Sequence, residues 1–216
     1  GELLAACRGA GTTVQGALGV AAARAVSSVL RWAPIVTTVI QTRKELGLAP
    51  RAVGCFFEWL SLALDAAEPD FWAAARGYRR RLTAGVAQGK HRRCTDFMPH
   101  EDGSFKLLAL GSRWHYHAEY SSRLPRQGRI LISNRGAFAL STRSHRVTAL
   151  HVMKRAQATS NELRVNACTV DGTMCLTVLS GSPWCTDEML TSIADRICEE
   201  LRSAAVCAPP VPSVSA

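Results

Sequence analysis

The alternation of apolar and polar positions is clearest near the end of the chain, in residues 163–170 and 173–179. These two runs flank Asp171-Gly172, a dipeptide that tolerates the positive φ angles of a two-residue turn. The apolar residues of both runs fall on one face: Leu163, Val165 and Ala167 on the first, and Met174, Leu176 and Val178 on the second. The pattern predicts a β-hairpin with one apolar face.

The pattern predicts three helices, two of them from apolar stripes at helical spacing. The first begins at Thr12-Thr13-Val14-Gln15, which fits a capping box, and continues through small residues to about residue 30. The second begins at Glu68-Pro69-Asp70, and the third is capped by Thr186. The apolar stripes of these two helices are Phe71, Ala75, Tyr78, Leu82 and Val86 in one, and Met189, Ile193, Ile197 and Leu201 in the other.

Four further runs read as strands, at residues 34–43, 52–64, 130–132 and 147–154, while residues 94–127 show no lasting period. The run 130–132 ends at Ser133-Asn134-Arg135-Gly136, where polar residues and a glycine replace the apolar pattern. This order predicts an α/β two-layer sandwich, with a mixed or largely antiparallel sheet covered by helices. We expect one domain over residues 1–207 and a disordered tail at 208–216, which is rich in proline and serine.

The net charge of +9 over 216 residues favours an anionic partner, such as nucleic acid, an anionic membrane surface or a phosphate-bearing cofactor. Part of this charge is an arginine cluster on the second helix, Arg76, Arg79, Arg80 and Arg81. The aromatic residues of that helix fall on its apolar side, so they are not placed to stack on bases beside the arginines. We therefore interpret the cluster as a solvated helix face and expect no nucleic acid partner.

Eight cysteines are present without a C-x-x-C pair, which favours free buried thiols and a reducing, cytoplasmic location. The apolar-rich run 3–34 is interrupted by Arg8, Arg24 and Arg31, so we expect no membrane span. His115-Tyr116-His117 resembles half of a metal site. No second pair of ligands follows at a recognisable spacing, and we expect no metal.

Four short segments, in this order, carry a family resemblance: Gly11-Thr12-Thr13, Val53-Gly54-Cys55-Phe56-Phe57, Asp70-Phe71-Trp72-Ala73-Ala74-Ala75-Arg76 and Ile132-Ser133-Asn134-Arg135-Gly136. Together they resemble the C-terminal half of condensation-type and alcohol-acetyltransferase-like members of the CoA-dependent acyltransferase superfamily. The resemblance implies a chloramphenicol-acetyltransferase-like half. In such proteins two halves enclose a tunnel, and a His-His-x-x-x-Asp motif on the N-terminal half supplies the general base.

No two of the six histidines are adjacent, so that motif is missing and the resemblance assigns no catalytic residue to this chain. It implies that Ser133 and Asn134 face the tunnel and bind substrate, and that Gly136 permits a close backbone approach. Alternatively, Ser133 and Asn134 end a strand and satisfy local backbone groups.

The resulting expectation is the C-terminal half of an acyltransferase that moves an acyl group to an alcohol or amine. The donor would be acyl-CoA or an acyl-carrier thioester, with no covalently bound cofactor. The expected partners are the N-terminal half, which carries the catalytic histidine, and a small-molecule acceptor, so the chain alone would be inactive. Two alternatives remain: a non-catalytic binding module with a basic surface for an anionic partner, and an unrelated α/β domain.

Overall fold

The fold is taken from a computed structural model, which describes residues 1–49, 53–54, 56–91, 129–140, 144–152, 162–180 and 185–208. His115-Tyr116-His117 and residues 209–216 of the expected tail lie outside the described residues. The described residues form four helices, α1 Glu2–Gly9, α2 Val14–Leu30, α3 Phe71–Ala87 and α4 Asp187–Val206. They also form five strands, β1 Ile35–Gln41, β2 Phe57–Ala63, β3 Arg129–Phe138, β4 Glu162–Val170 and β5 Thr173–Ser180.

The five strands make one mixed sheet in the order β2-β1-β3-β4-β5. Strands β1, β3 and β4 are parallel to one another at its centre, and β2 and β5 are antiparallel strands at its two edges. This arrangement confirms the expected mixed sheet. Because the three central strands point the same way, their carboxyl ends meet at one end of the sheet.

All four helices lie on one side of the sheet and share one hydrophobic core with it. The strands contribute alternate residues to that core, and each of these is almost completely buried because the helices cover it. The two-layer α/β sandwich is confirmed. The strand residues in this core are Val36, Ile130, Ile132, Leu163, Val165 and Ala167.

The small residues of α2 allow α3 to pack closely against it. A Cβ atom added to Gly19 would lie 2.7 Å from Cε1 of Tyr78, closer than carbon atoms approach without a shift. The Tyr78 hydroxyl in turn lies 2.6 Å from the Thr38 hydroxyl oxygen on β1. The glycine therefore lets a tyrosine of α3 pass α2 and reach the sheet.

The predicted hairpin is confirmed, with φ angles of 49° at Asp171 and 79° at Gly172. Asp171 tolerates this left-handed conformation because its short polar side chain can bond to nearby backbone. The predicted cap of α4 is also confirmed, since the Met189 backbone N–H donates to the Thr186 hydroxyl oxygen over 3.3 Å.

The capping-box prediction is wrong. Thr13, not Thr12, caps α2, since its hydroxyl oxygen accepts the Gly16 backbone N–H. The Thr12 hydroxyl donates to the Ala75 carbonyl on α3, and the Gln15 amide donates to the Thr38 hydroxyl oxygen on β1. Contacts with α3 and the sheet thus take the polar groups that a local motif would have used.

Two strand predictions are also wrong. β3 does not end before Ser133 but continues to Phe138, through an irregularity between Asn134 and Ala137. The run 147–154 was expected to be a strand, but residues 144–152 have no regular secondary structure and 153–154 lie outside the described residues. Helix α1 had no sequence prediction. In α3, Leu82 and Val86 are only half-buried, whereas Trp72 is buried.

In the part of the chain that the structure describes, no single helix has both the length and the apolar character to cross a membrane; α1 and α2 meet these criteria only as a pair, bent by 98°.

Candidate functional site

The sheet has a far face, which is the side turned away from the four helices. Its residues alternate along each strand with those of the hydrophobic core, so the register identifies them. Many are polar, although the same strands are apolar on the helix side. The far face of the four strands β1, β3, β4 and β5 includes Thr37, Leu131, Ser133, Arg164, Asn166, Cys168, Cys175 and Thr177.

Ser133 lies on the far face at the middle of β3, which extends from Arg129 to Phe138. It is opposite Asn166 on β4, which is opposite Thr177 on β5, so three polar side chains form one row across three strands. Ser133 is half-buried, and Asn166 is only 8% exposed. The sequence named only Ser133, because its partners in this row are about 30 and 40 residues away along the chain.

Asn166 contains a hydrogen-bond donor without an acceptor. Its side-chain nitrogen Nδ2 is buried and has no hydrogen-bond partner within the described residues. A buried amide donor left unpaired costs on the order of 1–3 kcal/mol, so such groups usually have a partner in the working protein. In this row, an oxygen atom of a ligand or of another polypeptide segment would satisfy it.

Asn134 and Gly136 belong to the irregular part of β3. Asn134 is opposite Ala167, a core residue, so it lies on the helix side of the sheet, opposite to Ser133. Asn134 is nevertheless exposed. Its side-chain oxygen Oδ1 accepts the backbone N–H of Gly136 over 3.0 Å. This local hydrogen bond is the alternative role considered above, and a binding role for either residue stays a prediction.

The conformation of Gly136 explains why a glycine stands there. Its φ angle is +77°, and an added Cβ atom would meet no heavy atom of the described residues within 4 Å. The backbone therefore requires glycine for the left-handed conformation rather than for a close approach within this chain. The irregularity also turns Arg135, which is exposed, toward the part of β4 that contains Cys168.

Residues 144–152 run across the far face over β4 and β5. The Arg146 guanidinium pairs with the Asp171 carboxylate, the Leu150 carbonyl accepts from the Cys168 thiol over 2.8 Å, and His151 Nδ1 lies 3.4 Å from the Thr177 hydroxyl oxygen. These contacts bring an exposed imidazole close to the row of Ser133 and Thr177. No sequence signal pointed to them, since each joins residues 18 to 26 positions apart.

A charged pair completes the far face toward the amino end of β4. Glu162 and Arg164 are neighbours on the same side of the strand, and Arg164 Nε lies 2.5 Å from Glu162 Oε1. Both side chains are more than four-fifths buried. This pair neutralises itself, whereas Arg135 adds a positive charge near Cys168.

The arginine cluster of α3 is partly used within the chain. Arg76 donates to the Ala10 carbonyl and pairs with Asp70, and Arg79 donates to the Gly11 carbonyl. Both arginines thus hold the turn between α1 and α2 against α3. Arg80 and Arg81 are exposed.

The described ranges contain no group of three His, Cys, Asp or Glu side chains close enough to share a metal ion. His115 and His117 lie outside these ranges, so the possible half-site they form stays a prediction.

Neither a protein-family model nor a curated protein matches this sequence. Solved structures do share its fold. One is described as PapA2 acyl transferase, with a TM-score of 0.58 and 16% identity over 94% of this chain and 41% of that chain. A second is the epimerization domain from the third module of tyrocidine synthetase B, with a TM-score of 0.58 and 14% identity over 95% of this chain and 45% of that one.

A third is a condensation domain that mediates chain release from the enacyloxin polyketide synthase, with a TM-score of 0.53 and 11% identity. It aligns with 100% of this chain but 39% of its own. The chain therefore spans less than half the length of each of these three proteins. The likeness shows that this chain has a fold that also occurs within these acyl transferase, epimerization and condensation domain structures.

Proposed function

We propose that the chain is the C-terminal half of an acyltransferase that moves an acyl group from CoA or a carrier thioester to an alcohol or amine. The observation that carries this proposal is the fold, which matches less than half of each acyltransferase-like neighbour over nearly all of this chain. The far face is one wall of the reaction channel, and the N-terminal half of the same fold is the other wall.

The far face is suited to this role because its polar side chains form one row across three strands. Ser133 on β3, Asn166 on β4 and Thr177 on β5 are opposite one another near the middle of their strands, where a substrate lying along the face would meet them. A face that bound nothing would gain little from the unpaired Asn166 donor.

Acyl transfer needs a base that removes the proton of the acceptor, and donors that stabilise the oxyanion formed on the thioester carbonyl. The Ser133 hydroxyl and the Asn166 amide are two of the donors that this half offers in one row. The base comes from the other half, which carries the His-His-x-x-x-Asp motif. This sequence does not contain that motif. The attacking oxygen or nitrogen bonds to the acyl carbon, and the thiol leaves.

The test uses the longest natural chain that contains this sequence together with an N-terminal half. Release of free thiol would be followed with CoA and N-acetylcysteamine thioesters of increasing acyl length, with and without simple alcohols and amines. We expect turnover by the two-half protein and none by this chain alone. Ser133→Ala should lower kcat/KM by about tenfold to a thousandfold, the range for loss of one oxyanion donor.

Ser203→Ala is the matched control, because Ser203 is an exposed serine on α4, on the helix side of the molecule. It should leave turnover unchanged. Turnover by this chain alone that is insensitive to Ser133→Ala would contradict the proposal.

The basic binding module would be favoured instead if the chain were retained on nucleic acid or acidic lipid, with steep loss of binding as salt increases, and if the two-half protein showed no thioester turnover.

A further inference from the structure

Two cysteine thiols face each other across the β4–β5 hairpin. Cys168 and Cys175 are directly opposite in the antiparallel register, and both side chains are on the far face. Both thiols are free, and the residues are 2% and 8% exposed. Neither belongs to the hydrophobic core beneath the helices, so packing of that core does not account for the pair.

The hairpin geometry suits a bond between them. Hydrogen-bonded and non-hydrogen-bonded pairs alternate from the turn-flanking pair Val170–Thr173, so Cys168–Cys175 is a hydrogen-bonded pair. The Cα atoms of such a pair are about 5.5 Å apart, which is within the range of about 4.4 to 6.8 Å that a disulfide spans. The Cβ atoms of directly opposite residues are about 4.5–5.5 Å apart, and those of a disulfide about 3.5–4.5 Å, so the two strands must approach slightly for the bond to form.

We propose that Cys168 and Cys175 form an oxidisable dithiol site, whose intramolecular disulfide is made by exchange with a low-molecular-weight disulfide and loosens residues 144–152 over the far face. This inference does not depend on the proposed acyl transfer.

The two thiols differ in how readily they react. Burial raises the pKa of the Cys168 thiol, and the neighbouring Cys175 raises that pKa further, whereas Arg135 lowers it. Cys168 is thus held as the protonated thiol, which is a poor nucleophile. Cys175 is on the edge strand β5 and is the more exposed of the two, so it reacts first.

With glutathione disulfide as oxidant, the Cys175 thiolate attacks one sulfur and releases the first glutathione. The Cys168 thiolate then attacks Sγ of Cys175 in the mixed disulfide and releases the second glutathione. The two cysteines lose two electrons and two protons, and glutathione disulfide takes them up as two molecules of glutathione.

The disulfide also removes a contact with residues 144–152. The reduced Cys168 thiol donates to the Leu150 carbonyl over 2.8 Å, and a disulfide sulfur has no proton to donate. Arg146 and His151 still contact Asp171 and Thr177 on either side. Oxidation therefore frees the centre of this segment, which borders the row of Ser133 and Asn166.

The disulfide is tested by incubating the folded chain in glutathione redox mixtures, blocking free thiols and cleaving with cyanogen bromide. Cleavage after Met174 separates Cys168 from Cys175, so only a disulfide keeps the two fragments joined. Cys185 shares the second fragment, and therefore Cys185→Ala is compared with Cys175→Ala. We expect joined fragments in wild type and Cys185→Ala and none in Cys175→Ala.

The equilibrium constant for disulfide formation should be at least about tenfold larger in the folded chain than in the same chain unfolded in urea, which corresponds to about 30 mV. Equal constants, joining through Cys185, or only mixed disulfides with glutathione would overturn the proposed site.

The loosening is tested by the rate of chymotrypsin cleavage within residues 144–152. We expect faster cleavage in the oxidised chain and in reduced Cys168→Ala, but not in reduced Cys168→Ser, which keeps a donor. Unchanged cleavage on oxidation would overturn the effect on the segment.

Discussion

At the scale of single residues, Tyr78 connects the helix layer to the sheet. Its ring fills the space that Gly19 leaves, and its hydroxyl is within hydrogen-bond distance of the Thr38 hydroxyl, which also accepts from Gln15. Burial raises the pKa of Tyr78 to about 12, against opposing effects of the Thr38 hydrogen bond and the Arg81 charge. The folded state therefore holds the neutral phenol.

This pKa predicts how stability depends on pH. The folded-state pKa lies above the unfolded value of about 10, so the contribution of Tyr78 is complete below pH 10 and is lost as the pH rises toward 12. In that range, the free energy of unfolding of wild type should fall more steeply than that of Tyr78→Phe, by up to about 1.4 kcal/mol per pH unit. Near neutral pH, Tyr78→Phe should cost about 1 kcal/mol for the lost hydrogen bond. Urea denaturation from pH 7 to 11.5 measures both effects, and parallel curves for the two proteins would contradict the assignment.

Residue-scale roles were only partly predictable from the sequence. The Thr186 cap and the Asp171-Gly172 turn are set by neighbouring backbone groups, and both predictions are confirmed. Thr12 and Gln15 form contacts with α3 and β1 instead of the predicted capping box, since partners 63 and 23 residues away are invisible to a local pattern. The Asn166 and Thr177 neighbours of Ser133 were missed for the same reason.

At the scale of elements, the contact between α2 and α3 depends on glycine at one position and not at another. Gly19 of α2 has no room for a methyl group beside the Tyr78 ring, whereas an added Cβ at Gly77 of α3 has no heavy atom within 4 Å among the residues that the structure describes. The same substitution should therefore have opposite effects at these two positions.

Gly19→Ala should destabilise the fold by about 1–3 kcal/mol, because the added methyl group forces Tyr78 to move. Gly77→Ala should stabilise it by about 0.5–1 kcal/mol, because alanine loses less backbone entropy in a helix. Urea midpoints compare the two variants with wild type. If both substitutions stabilise the chain, then α2 and α3 do not pack as described.

Elements with a strong period were predicted well, and those defined by pairing were not. The β4–β5 hairpin and α4 follow from alternation and from a stripe whose residues Ile193, Ile197 and Leu201 are all buried. The continuation of β3 past Ser133 was missed, because its polar residues pair with β4 although they resemble a strand end. Residues 147–154 were expected to be a strand, but the contacts of residues 144–152 are mainly with side chains of β4 and β5 and of the turn between them.

At the scale of the whole molecule, the helix layer and the far face are unequal surfaces of one sheet. The helix side is closed by α1 to α4 around an apolar core, while the far face presents a polar row and an unpaired amide donor. The sequence predicted the two layers, because periodicity reports which side of each element is apolar. It did not predict which residues share the far face, since that depends on the register between strands.

If the proposed function is correct, a second half of the same fold covers the far face. Hydroxyl-radical footprinting of this chain alone and within the two-half protein measures this directly, without knowledge of the substrate. Phe57 and His151, exposed on or beside the far face, should be oxidised several-fold more slowly in the two-half protein, while Val206 on α4, which is 86% exposed, should be unchanged. Protection of Val206 and the helix layer, with Phe57 and His151 still oxidised at the rate of the isolated chain, would contradict the claim.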